Sequence, residues 1–197
     1  MGTWKSLRVL DTIVNSILGR SSGLPGMLHP DKRLDSLRSP SGEIRQDTRQ
    51  TAVQAIFSIC PFMDELERKV CRQDMASTEN FLQRLQKWSK ALPEELRTGV
   101  EVNSSTLTDR ELVVGGTHVA CVYYFAVILT TRRFFTVCLL DRVQEGRVSE
   151  QSFETPRINE KTASLGQVCL NAAVNLAKVG SNIMTSDQML NNMCLLK

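Results

Sequence analysis

The 197-residue chain lacks the residue patterns that most catalytic and metal-binding proteins carry. It has only two histidines, His29 and His118, and neither accompanies a nucleophile motif, so acid–base catalysis is not expected. The six cysteines are scattered, which excludes the ligand spacing of a zinc ribbon or zinc cluster. Gly115-Gly116 stands without G-x-G-x-x-G or a P-loop lysine, so no phosphate-binding motif is present. We therefore predict that the chain is not an enzyme and holds no cofactor or metal.

Strong charge and long apolar runs are also missing. The net charge is +3 and the basic residues form no block, which excludes a DNA-contacting arm of the usual kind. The longest apolar run, 119–129, is too short to span a bilayer. A longer span would bury Arg132 and Arg133 at roughly 2.5–3.5 kcal/mol each. We predict a buried core helix and no membrane association.

No segment alternates with period two for long enough to predict a sheet, whereas helical spacing recurs along most of the chain. The predicted fold is therefore all-α, an irregular helical bundle forming one domain over 1–197. Helices are expected over 1–20, 46–71, 77–92, 108–146, 160–178 and 187–196. Mobile loops are expected near 21–43, 97–107 and 147–158, where proline, glycine and polar residues collect.

The first predicted helix is amphipathic, and its apolar stripe is expected to be buried. The stripe comprises Trp4, Leu7, Leu10, Ile13, Val14, Ile17 and Leu18. Lys5, Arg8 and Asn15 lie off it. Gly19 is expected to end the helix in a left-handed conformation, with Arg20 favourably placed at the negative helix end.

Other local signals predict where helices begin, break or end. Ser77 is expected to cap the third helix, and Gly180 to stop the sixth. Pro61 predicts either a kink or a break with a new helix starting there. Gly115-Gly116 predicts a hinge or a close helix contact. The charged run from Asp64 to Lys69 is expected to be a solvated helix face.

Two N-terminal segments carry motifs of one protein family. Trp4, Leu7, Leu10, Asp11 and Leu18-Gly19-Arg20 resemble "W-x-x-L-x-x-L-D … L-G-R-P", with Ser21 in place of proline. Segment 81–96 resembles "L-x-x-W-x-x-x-L-P-x-x-L" through Trp88, Leu92-Pro93 and Leu96. Both patterns resemble the regulatory, or middle homology, domain of fungal zinc binuclear cluster transcription factors.

Two later segments match the same domain in the same order. Segment 118–135 resembles "H-x-x-Y-x-x-x-x-I-L-x-x-R-P-F" through His118, Tyr123 or Tyr124, and Arg132, with Arg133 in place of proline. Residues 169–173 resemble "C-x-x-A-A" through Cys169, Ala172 and Ala173. For His118 we expect packing or capping. For Arg132 we expect either a charged head in water or an ion pair with a carboxylate such as Asp11.

The resemblance implies a non-catalytic, nuclear regulatory region that acts in transcription by RNA polymerase II. Expected partners are proteins of the transcription machinery or the rest of its own polypeptide. Zinc and DNA contacts would belong to a cluster upstream of Trp4, so the chain is expected to be an internal slice of the domain.

Two alternatives remain open at this point. In the first, the aromatic residues line a pocket that senses a small-molecule effector. These aromatics are Trp4, Trp88, Tyr123, Tyr124, Phe125, Phe134 and Phe135. In the second, the chain is an inactive truncated product that aggregates through exposed apolar faces.

Overall fold

The fold is all-α, as predicted: the residues that the structure describes form six helices and no strand. The structure is a computed structural model and describes residues 2–18, 20, 48–69, 74–97, 107–145 and 159–185. The helices are α1 (Gly2–Leu18), α2 (Thr48–Lys69), α3 (Met75–Ala91), α4 (Glu94–Arg97), α5 (Leu107–Glu145) and α6 (Glu160–Thr185). Several predicted features lie outside the described residues. They are Gly19, the helix expected over 187–196, and the loops expected near 21–43, 97–107 and 147–158, of which only residues 97 and 107 are described, as helix ends.

The helices divide into two compact units. The first unit contains α1, α2, α4 and α5 as far as Ala120. The second contains α3, α5 from Cys121 onwards, and α6. The prediction of a single domain over 1–197 stays a prediction.

In the first unit, α2 provides the apolar core. Its buried side chains recur every three or four residues, which is the spacing of one helix face. They are Ala52, Ala55, Ile56, Ile59, Cys60, Met63 and Leu66. A Cβ atom built on Gly115 of α5 would lie 3.0 Å from the Cβ of Ala52, so the two helices approach closely there. The close helix contact expected at Gly115-Gly116 is therefore confirmed, and α5 runs through both glycines unbroken.

Of the two outcomes expected at Pro61, the break is wrong, because α2 continues through this residue to Lys69; the kink stays a prediction. Pro61 is exposed, so its ring points away from the core and displaces no buried side chain. Its missing N–H leaves the carbonyl four residues back without a helical donor. The buried face around Ile59 and Met63 holds the helix together across that gap.

In the second unit, α5 and α6 cross at a glycine. A Cβ atom on Gly166 would lie 2.9 Å from Cys138 Sγ and 3.5 Å from the Phe135 Cα, so only glycine fits without a shift. Leu165, Cys169 and Ala172 form the buried face of α6. Thr130 and Thr131 of α5 are fully buried. Their hydroxyls donate to the carbonyls of Ala126 and Val127, each at 2.7 Å, which removes the cost of burying them.

Two further predictions, for the start of α3 and the end of α6, are wrong. The cap of α3 is Asp74, whose Oδ1 accepts from the Ser77 amide at 2.8 Å; Ser77 itself lies inside the helix. Asp74 is the better placed acceptor because α3 begins one residue after it. Gly180 does not stop α6, which continues to Thr185. Glycine lowers helix propensity without blocking hydrogen bonding, so it ends a helix only where the chain must turn.

The end of α1 agrees with the predicted stop. The Arg20 amide donates to the Asn15 carbonyl at 2.9 Å. This hydrogen bond spans six residues, a spacing that is common where helices end, and α1 ends at Leu18. Arg20 is exposed beside the helix terminus, as expected.

Within α5, the stretch Val113–Gln144 is long and apolar enough to cross a membrane, with a hydropathy of 1.7 in its most apolar window. Core helices of soluble proteins can have the same length and apolar composition. Of that window, 44% is buried inside the protein, including Val119, Val122 and Ala126. The absence of a membrane role stays a prediction.

Candidate functional site

Helix α1 packs against α2 with its polar side inward, which reverses the orientation that its amphipathic sequence predicts. Arg8, Thr12 and Ser16 are buried, at successive steps of four residues. The apolar stripe is largely exposed. We call this exposed stripe the outer face; its members are Trp4, Leu7, Leu10, Val14, Ile17 and Leu18. The prediction that the stripe is buried is therefore wrong.

An ion pair fixes this orientation. The Arg8 guanidinium donates to Asp64 Oδ2 of α2, and the two side chains are only 10% and 15% exposed. Burial raises the pKa of the Asp64 carboxyl, and the positive charge of Arg8 opposes part of that rise. A largely buried charge is stabilised by a partner at close range, and rotation of α1 about its axis would remove Arg8 and leave Asp64 only the charge of Arg68 on its own helix.

The family-motif residue Asp11 holds Arg8 in place. Asp11 Oδ2 lies 3.5 Å from Arg8 Nη1, one helical turn away. Asp11 Oδ1 accepts from Asn15 Nδ2 at 2.8 Å, and the same nitrogen donates to the Asp11 carbonyl at 2.9 Å. Arg8 therefore lies between two carboxylates, one on its own helix and one on α2.

A second polar contact lies one turn nearer the N-terminus. Lys5 Nζ donates to Gln54 Oε1 of α2 and stands 5.7 Å from the centre of the Phe57 ring. An ammonium at this range is attracted by the negative face of an aromatic ring. Lys5 and Arg8, the two cations of α1, thus both engage α2.

Two buried oxygens in this interface, Thr12 Oγ1 and Asp64 Oδ1, have no partner with hydrogen-bond geometry among the described residues, although the Thr12 hydroxyl lies close enough to the Cys60 thiol to lower its pKa. Each costs free energy, because a desolvated oxygen has lost its hydrogen bonds to water. Nearby, burial raises the pKa of the Cys60 thiol to about 11. The thiol stays protonated at neutral pH and is not a nucleophile there.

Beyond α1, the described residues that carry the family resemblance lie on α3, α5 and α6 and in the connection between α3 and α4, with Leu96 on α4. Trp88 is half-buried in α3, and Pro93 lies between α3 and α4. His118 lies well inside α5, so it does not cap this helix. Its side chain is exposed by surface area, although desolvation lowers the pKa of its ring. Arg132 is exposed, which agrees with a charged head in water.

In α6, Cys169 and Ala172 are buried, whereas Ala173 is exposed. Asp11 has Arg8 among its partners. A pair between Asp11 and Arg132 stays a prediction.

The second unit contains a small aromatic cluster. The rings of Trp88 and Tyr123 are nearly parallel, with centroids 6.5 Å apart and planes at 9°. Tyr124 meets Tyr123 edge-on at 5.4 Å. Phe134 is buried elsewhere on α5. Trp4 belongs to the first unit.

Sequence reasoning missed Asp64 by assigning it to a solvated charged face. A usable signal was present, since Asp64 follows buried Cys60 by four residues and therefore lies on the same side of α2. Arg8 was missed because it lies off the apolar stripe. The row of Arg8, Thr12 and Ser16 has the same periodicity as that stripe, but hydrophobicity alone cannot select it.

No family model, curated protein or solved structure matches this chain. Among the described residues, no group of three or more His, Cys, Asp or Glu side chains could hold a metal ion. The candidate site is thus defined by its geometry alone. On one side of α1, Arg8 pairs with the carboxylates of Asp11 and Asp64, and on the other side lies the exposed outer face.

Proposed function

We propose that this chain is the regulatory, non-catalytic region of a fungal zinc-cluster-type transcription factor. In this role it regulates transcription by RNA polymerase II in the nucleus through contacts with other proteins. DNA binding and zinc would be supplied by another part of the polypeptide. The resemblance of four ordered segments to the middle homology domain supports the biological role.

The observation that carries the proposal is the exposure of the first motif. Trp4, Leu7 and Leu10 define its pattern, and all three are about half exposed on the outer face. Asp11, the fourth motif residue, helps to position Arg8 on the inner side. The motif thus combines an anchor to α2 with a displayed apolar surface, which is typical of a protein-contact site.

The chemistry of the anchor also favours a contact role over catalysis. Its cations and carboxylates neutralise one another within the α1–α2 interface. Its thiol, Cys60, is held in the protonated form by burial. Catalytic sites instead direct perturbed groups toward a cleft where substrate can reach them.

A reporter assay in yeast tests the regulatory role. The whole chain is fused to a heterologous DNA-binding domain, and expression from a promoter bearing its sites is measured. We expect a several-fold change relative to the DNA-binding domain alone. We expect Trp4→Ala/Leu7→Ala to abolish this change and the matched exposed control Leu170→Ala to retain it. A nuclear, full-length fusion that leaves the reporter unchanged contradicts the proposal.

The aromatic cluster of the second unit favours a second candidate, the sensing of a flat small molecule. Near-parallel rings such as Trp88 and Tyr123 are a common means of holding a planar ligand. Replacing Trp4 by phenylalanine leaves Trp88 as the single tryptophan, so its fluorescence reports on this site alone. Saturable quenching by one metabolite, lost in Tyr123→Ala, is expected for a sensor. A metabolite library that neither quenches Trp88 nor raises the Tm excludes one.

A further inference from the structure

The polar side of α1 packs on α2 side chains that are mostly uncharged. Those that interact with α1 include Gln54, Phe57, Cys60 and Asp64. Of these four, only Asp64 carries a charge at neutral pH, since burial raises the pKa of the Cys60 thiol to about 11. A single carboxylate therefore supplies the electrostatic reason for α1 to keep its cations inward.

The residues of α1 also suit the opposite orientation. The outer face and the row Arg8, Thr12 and Ser16 lie on opposite sides of the helix, so half a turn about its axis would exchange them. The half-exposed apolar side chains would then leave water, and the buried Thr12 hydroxyl would regain hydrogen bonds to water. This is the orientation that the amphipathic sequence predicts. Its main cost falls on Asp64, which would lose Arg8.

The protonation of Asp64 therefore shifts the balance between the two orientations. The charged and titratable groups that act on it are Arg8 and Asp11 of α1, together with Arg68 and Cys60 of its own helix. Arg8 lowers the pKa of this carboxyl more than Asp11 raises it, so loss of both contacts would raise the pKa further. The orientation in which the carboxyl has the higher pKa binds protons more tightly and is favoured as the pH falls.

We propose that α1 is a two-position switch, which displays the outer face while Asp64 is ionised and packs that face on α2 once Asp64 is neutral. Two packings of one sequence can lie close in free energy, so the loss of one charge exchanges their populations. The switch rests on the proposed function only for its consequence, which is that acid conditions withdraw the protein-contact surface. Its test measures the environment of Trp4, whereas the reporter assay measures regulation, so the two can fail separately.

Fluorescence of Trp4 in the full chain tests the switch. Trp88→Phe, present in every protein compared, leaves Trp4 as the single tryptophan. Trp4 is 49% exposed on the outer face, so packing this face on α2 should shift its emission to shorter wavelength. Asp64→Asn mimics the neutral carboxyl, and at neutral pH we expect it to lower acrylamide quenching by about twofold or more. Asp74→Asn, a matched change at the cap of α3, should leave emission and quenching unchanged.

A pH titration provides an independent measurement on the chain that retains Asp64. Quenching of Trp4 should fall as the pH decreases, with a midpoint above 3.8, the ordinary pKa of an aspartate. Asp64→Asn should show low quenching throughout and no such transition. Asp11→Asn removes the other carboxylate beside Arg8 and should keep the transition.

A second substitution distinguishes turning of α1 from its detachment. Val14→Glu adds a charge to the outer face, which is exposed in the observed orientation and would be buried in the other. The double variant Val14→Glu/Asp64→Asn should therefore recover the quenching of the chain that retains both residues, and circular dichroism should show equal helix content. Quenching that is unchanged in Asp64→Asn, or that increases because α1 detaches or unfolds, overturns the proposal. An acid transition that persists in Asp64→Asn overturns it as well.

Discussion

Arg8 on α1 donates to the carboxylate of Asp64 on α2, and this pair determines which side of α1 faces the protein. The amphipathic stripe by itself favours the opposite orientation. Burying the stripe would gain apolar contact but would leave Asp64 without its cation in a partly desolvated position. The observed orientation satisfies the charge and leaves the stripe exposed.

Removing either partner of this pair should destabilise the protein. We expect Arg8→Ala or Asp64→Ala to lower the free energy of unfolding by about 2 kcal/mol, less than the roughly 3–5 kcal/mol of fully buried pairs. The double variant Arg8→Met/Asp64→Leu should lie within about 1 kcal/mol of wild type, because the buried Asp64 charge is removed together with its cation and the remaining carboxylate, Asp11, is 21% exposed. Urea unfolding measures all three.

The matched control for the pair is Arg142→Met, a change at an exposed arginine of α5. It should shift the free energy of unfolding by no more than about 0.5 kcal/mol. If the losses of Arg8→Ala and Asp64→Ala simply add in the double variant Arg8→Ala/Asp64→Ala, Arg8 and Asp64 are not coupled.

The crossing of α5 and α6 at Gly166 should tolerate no side chain. Gly166→Ala places a methyl group 2.9 Å from Cys138 Sγ, so we expect a loss of about 1–3 kcal/mol in thermal or urea unfolding. Gly180→Ala in the same helix is the control. It meets nothing within 4 Å and should gain about 0.5–1 kcal/mol from helix propensity. Cys138→Ala should partly rescue Gly166→Ala, and failure to do so would locate the clash elsewhere.

Buried Cys60 should make stability fall at alkaline pH. Its pKa is about 11 in the folded protein against an ordinary value of 9.0, so the folded state binds more protons than the unfolded state between these values. The free energy of unfolding therefore decreases as pH rises from 9 to 11, by up to about 2–3 kcal/mol from this group. Comparing wild type with Cys60→Ala in urea at pH 8 and pH 10.5 isolates the contribution. Parallel pH profiles for the two proteins would contradict it.

The contribution of Asp74 to stability should be lost at acid pH, as the pH falls. Its hydrogen bond from Ser77 lowers the pKa of the carboxyl, so the ionised form is favoured in the folded state. The stabilisation is present above the unfolded pKa and is lost as pH falls through the lower folded value. Asp74→Asn keeps an N-cap acceptor but removes the titration, and its acid unfolding curve should be shallower. Asp74→Ala should lose helix stability at all pH values.

The helices could be predicted from the sequence because each carries its own periodic signal. The fifth helix was expected over 108–146, and α5 is present from Leu107 to Glu145. The orientation of α1 could not be predicted in this way. Periodicity identifies two faces but not the partner of either, and here the partner is a single carboxylate in a distant helix. The N-cap of α3 was predicted wrongly for a similar reason. Asp74 and Ser77 are both residue types that cap helices, and only the hydrogen-bond geometry shows that Asp74 is the cap.

Because α1 is anchored by charge on one side and apolar on the other, added salts act on its two sides differently. Sodium sulfate strengthens the tendency of the exposed outer face to be buried, whereas sodium chloride screens the exposed fraction of the Arg8–Asp64 attraction. The two salts therefore affect different interactions of this helix: chloride weakens its charged contact with α2, and sulfate acts on its exposed apolar side.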